Sequence, residues 1–124
     1  MSTWDLSKTK RHVLICNGGS CMKQGAEEVT QAIRAEISRM QADDVIHTTR
    51  TRCNGRCEDA CVVIVYPEGI WYKQITPSDA AVLVQQHFIA DEPVKHRISH
   101  QYEEQGFKRT GQTVQGMLKS AKTK

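Results

Sequence analysis

Five cysteines stand at positions 16, 21, 53, 57 and 61, and four of them form two close pairs. Cys16 and Cys21 are separated by NGGS, and Cys53 and Cys57 by NGR. Thiols at such intervals serve as metal or cluster ligands, as a redox dithiol, or as buried core. A redox dithiol favours C-x-x-C at a helix start, and neither pair has that spacing. Zinc sites with four thiolates mostly use tight C-x2-C knuckles, and both intervals here are wider, which leaves zinc as the weaker alternative. Four thiols in two glycine-bearing loops would be an odd place for core. Four thiolates in two pairs are what a [2Fe-2S] cluster requires, because each iron takes two ligands besides the bridging sulfides.

Two loops must bring those pairs together, and the flanking segments say how. RHVLIC (11–16) is short, apolar and strand-like, and it delivers the first pair into NGGSC. From Gln24 to Met40, Val29, Ile33, Ile37 and Met40 recur at helical spacing over a charged opposite face. DDVIHTTRT (43–51) is β-branched and leads to Cys53 and Cys57. In a βαβ unit with parallel strands, both cysteine loops open at the same sheet edge. Gly18, Gly19 and Gly55 would let the backbone wrap a bulky group and turn amides toward sulfur.

ACVVIVY (60–66), the turn PEG and IWYKQI (70–75) form an expected hairpin. TPSDAAVLVQQHFI then starts a helix with Thr76 as N-cap, Pro77 in the first turn and Asp79 at the third position. The expected fold is α/β: a mixed four-stranded sheet, βαβ then ββα, flanked by two helices. Residues 1–10 are expected as a polar leader, 11–90 as the domain, and 91–124 as a basic, mobile tail. Cys61 opens the third strand and is expected in the core as the surplus thiol, with exchange for Cys57 the main ambiguity.

Charge narrows the function classes. Residues 1–90 carry ten basic and ten acidic residues, so the net charge of +3 lies wholly in residues 91–124. That mild excess gives no nucleic-acid footprint. The longest run free of charged or strongly polar residues, Ala60 to Pro67, is far short of the roughly 20 residues a membrane helix needs. An odd cysteine count and a polar N-terminus argue for reduced thiols and a cytoplasmic location. His12, His47, His87, His96 and His100 form no ligand pair near the thiols. Arg50, Arg52 and Arg56 flank the second loop, where they would meet an anionic cluster or an acidic partner, or be solvated.

HVLICNGGSC followed by TRCNGRCEDACVVIVYPEGIWYKQITPSDAAVLVQQH resembles the thioredoxin-like [2Fe-2S] ferredoxins and the related small-subunit domain of NADH dehydrogenases. The likeness spans about residues 11–90. Its marks are C-x4-C after the first strand, C-x-G-x-C after the second, then YPEG, WY and a TP helix start. The resemblance implies a thioredoxin-like fold, a [2Fe-2S] cluster, and Cys16, Cys21, Cys53 and Cys57 as its ligands. Cys61 falls where related sequences often have proline, which leaves it out. Many free-standing members have a longer first interval, and the short C-x4-C looks more like the dehydrogenase-subunit form. The chain is also similar to small ferredoxin-like proteins associated with bacterial cobalamin biosynthesis.

The function implied is electron transfer without bond chemistry, with redox proteins as partners and room for a homodimer through a sheet edge. A cluster-delivery or redox-sensing module, and a zinc-stabilised interaction domain, would use the same four cysteines.

Overall fold

The computed structural model describes residues 2–121. Residue 1 of the expected leader and residues 122–124 of the expected tail lie outside the described residues. The elements run β1 (Arg11–Cys16), α1 (Gly19–Lys23), α2 (Ala26–Arg39), β2 (Ile46–Thr51), β3 (Val63–Tyr66), β4 (Ile70–Tyr72), α3 (Ala80–Val82), β5 (Ile98–Glu103) and β6 (Gly106–Arg109). A 3-10 turn, Pro77–Asp79, leads into α3, and a π-helical stretch, Leu83–Ile89, continues it.

The six strands form one sheet in the order β2-β1-β3-β4-β5-β6. β1 and β2 are parallel, whereas β3 is antiparallel to β1 and every later neighbour is antiparallel too. The parallel pair is the arrangement expected from the βαβ order, and it puts the ends of β1 and β2 side by side. The class is therefore α/β with a mixed sheet, as the sequence indicates.

α2 lies on β1 and β2 and against α3. Val29, Ile33 and Ile37 point into the core and are almost wholly buried. Each contributes about 1.5–3 kcal/mol of apolar burial. Met40, expected on the same stripe, is the C-cap and is exposed. The third helical segment begins where expected. Thr76 is the N-cap, Pro77 occupies the first turn, and the Asp79 carboxylate accepts the Thr76 amide at 2.8 Å.

Two expectations need correction. The sheet has six strands instead of four, and residues 98–109, expected to be mobile, form a hairpin on β4. Its backbone bonds to the edge of β4 require no apolar alternation. Only Ile98 and Ser99 of β5 are buried, and β6 is largely exposed. Gly106 adopts φ +125° where the chain enters β6.

Candidate iron-sulfur site

β1 ends at Cys16 and β2 at Thr51, in register across the parallel pair. The loops beyond them therefore rise at one sheet edge. Cys16, Cys21, Cys53 and Cys57 line a single cavity there, together with Gly18, Ser20 and Arg56. Cys16 is the last residue of β1, Cys21 lies on the short helix α1, Cys53 lies in the loop after β2, and Cys57 opens a 3-10 turn, Cys57–Asp59. Cys16 and Cys21 are buried, whereas Cys53 and Cys57 are exposed. The sulfurs of Cys53 and Cys57 are 3.6 Å apart.

The loops approach so closely that Gly18 has no room for a side chain: a Cβ there would come within 2.7 Å of the Cys53 Cα. Gly55 turns the second loop at φ +80°, a conformation that favours glycine. Its amide donates to the Cys53 sulfur at 3.3 Å. Gly19, expected to help the wrapping, faces open space, so the steric demand falls on Gly18 alone in the first loop.

The thiols differ electrostatically. Burial opposes ionisation of Cys16, but the Gly18 amide and both the side chain and amide of Asn54 act against it and hold the thiol below its ordinary value. Burial pushes Cys21 up to about 12, and its neighbour Cys16 adds to the rise. Asn54 escaped notice in the sequence. The only hint was its place between two cysteines.

Cys61 does not line the cavity. It is buried, and its thiol donates to the carbonyls of Cys21 at 3.5 Å and Gln24 at 3.4 Å. Burial raises its pKa. The arginines separate as well. Arg50 pairs with Glu27 at 3.0 Å, and Arg52 is exposed. Arg56 pairs with the buried Asp59 at 2.7 Å and donates to the Val114 carbonyl.

The model of the family thioredoxin-like [2Fe-2S] ferredoxin matches residues 4–87, about two thirds of the chain. The chain belongs to the thioredoxin-like [2Fe-2S] ferredoxin family. A Priestia megaterium protein that carries the provisional name 2Fe-2S ferredoxin is 50% identical over 107 residues, covering 86% of this chain and 84% of that one. A Clostridium pasteurianum 2Fe-2S ferredoxin is 30% identical over 94 residues, 69% of this chain and 92% of its own. The solved structure of a thioredoxin-like [2Fe-2S] ferredoxin from Aquifex aeolicus superposes with a TM-score of 0.73 at 32% identity, covering 77% of this chain and 94% of that one.

Membership gives this ferredoxin a [2Fe-2S] cofactor and an electron-transfer function. The cavity fits that group: four thiols line it, one pair from the β1–α1 connection and one pair from the segment after β2, and the missing Gly18 side chain leaves the two segments close together. No helix among the described residues is long and apolar enough to cross a membrane.

Proposed function

We propose that Cys16, Cys21, Cys53 and Cys57 ligate the [2Fe-2S] cluster, and that the chain is a cytoplasmic one-electron carrier with no bond chemistry of its own. The observation that carries this reading is that four thiols, one pair from the β1–α1 connection and one from the segment after β2, line one cavity. Residues 11–90 form the cluster-binding unit, and the β5–β6 hairpin with the segment C-terminal to it is an addition to that unit.

The bound cluster supplies a one-electron couple, which with four cysteine ligands lies a few hundred millivolts below zero. The chain supplies the rest. The Gly55 amide stabilises negative charge on the Cys53 sulfur, and the Gly18 and Asn54 amides do the same at Cys16. Burial favours the protonated Cys21 thiol, so ligation by its thiolate would release a proton and would weaken as pH falls. Cys53 and Cys57 are the exposed pair, so theirs is the side that a redox partner protein would approach.

Single serine replacements test the ligand set. C16S, C21S, C53S and C57S should each lose or alter the visible spectrum, and C61S should keep it, with about two irons and two sulfides per chain that bleach on dithionite reduction. A colourless wild-type protein with about one zinc per chain would replace this reading with the zinc-stabilised one.

A further inference from the structure

The segment C-terminal to β6 has no counterpart in the family match, which ends at residue 87. It nonetheless reaches the candidate site. Thr113 anchors it and is almost wholly buried. The Thr113 hydroxyl accepts Lys73 Nζ at 2.9 Å, and its carbonyl accepts an Arg109 guanidinium nitrogen at 2.7 Å. Beyond that anchor, Val114, Gly116 and Met117 line one groove with Arg56 and Cys57.

Among the described residues, the hydrogen bond that ties this stretch to the rest of the fold comes from Arg56. The guanidinium is a rigid fork with donors on two sides. Nε holds Asp59, two residues past Cys57, and Nη2 holds the Val114 carbonyl. Gly116 lies so near that a Cβ there would stand 3.2 Å from Nη1. The Arg56 side chain is only 16% exposed, so it is committed to these inward contacts. That leaves little of it to greet a partner or to be solvated, two of the readings open from the sequence.

We propose that Arg56 is a positioning residue that latches the C-terminal strap, residues 113–117, onto the Cys57 loop and thereby screens the exposed edge of the cluster. The proposal rests on Cys57 being a ligand. Its physical basis is that solvent and chelators would reach a bound cluster past the exposed cysteines, and the strap forms the far wall of the groove beside Cys57. Opening the latch bares that side of Cys57 without touching a ligand.

The test uses the full-length, cluster-loaded protein, R56K, a chain ending after Thr113, and the two changes combined. Lysine keeps the charge and the Asp59 pairing but cannot grip both partners at once. Two readouts are needed: the rate of limited chymotryptic cleavage after Met117 or Leu118, and anaerobic bleaching of the visible absorbance by a ferrous chelator, bathophenanthroline disulfonate. R56K should speed that cleavage about tenfold or more, as loss of a charge-assisted hydrogen bond does to a local opening equilibrium. It should also speed bleaching by the same factor as the truncation. In the truncated chain, R56K should add nothing to the bleaching rate. Unchanged cleavage in R56K, or equal acceleration of bleaching with and without the strap, would overturn the latch. C57S run alongside keeps the two readings apart. If it retains the wild-type spectrum, the ligand assignment fails, whereas the cleavage result reports on the latch alone.

Discussion

Gly18 and Cys53, 35 positions apart in sequence, touch backbone to backbone: a Cβ on Gly18 would lie 2.7 Å from Cys53 Cα and 2.8 Å from its amide nitrogen. No flexible side chain stands between them to give way, so the loops must part if the glycine gains even a methyl group. Gly18→Ala should cost about 1–3 kcal/mol of stability by overpacking. Its larger effect should be on the site. Iron and sulfide per chain should fall well below wild type while the far-UV circular dichroism stays native. Full cluster content in the variant would show that the loops tolerate separation.

Cys61→Ala separates the surplus thiol from the ligands. The side chain is buried and donates to two carbonyls near Cys21, so its loss should lower the melting temperature, by the equivalent of about 1–2 kcal/mol. The visible spectrum and iron content should be unchanged. Loss of the spectrum, with folding intact, would make Cys61 a ligand in place of Cys57.

Tyr72 and His87 share a wholly buried hydrogen bond of 2.7 Å between the hydroxyl and Nδ1. Burial dominates and lowers the His87 pKa, with Arg11 acting the same way and Glu68 and Asp91 acting against them. The folded state therefore holds His87 neutral where the unfolded chain, with a histidine pKa of about 6.5, binds a proton. Stability should be complete above that value and decline as pH falls from it toward the lowered folded pKa. His12 and His100 shift in the same direction, so His87→Gln should flatten the slope only in part. Denaturant titrations from pH 7.5 to 5 would measure it. An unchanged slope in the variant would remove His87 from the linkage.

Deleting residues 91–124 should not release a clean smaller domain. β5 pairs with β4, the Val94 amide donates to the buried Tyr72 hydroxyl at 2.9 Å, and Val94 and Ile98 lie in the core. The truncated chain should lose at least about 3 kcal/mol from those two side chains. It should also self-associate through the bared β4 edge. Thermal melting and sedimentation velocity read both effects. A monomer of wild-type stability would show that the hairpin is dispensable.

By itself the sequence determined the chemistry and the local elements. Cysteine spacing made four thiols candidate ligands and left Cys61 aside, and periodicity marked α2 and the strands through β4. The Thr76–Asp79 cap was legible for the same reason: each signal depends on residues close together in the chain. Tertiary structure decided what depends on distant partners. The hairpin of β5 and β6 is held by backbone bonds to an edge strand, and such bonds leave almost no imprint on side-chain pattern. The gap that Gly18 leaves for Cys53, the Asn54 contacts at Cys16 and the reach of Arg56 to Val114 arise only once the loops and strap are packed together. A glycine or an arginine in a polar loop looks the same in sequence whether it faces solvent or a neighbouring backbone. Only the fold says which.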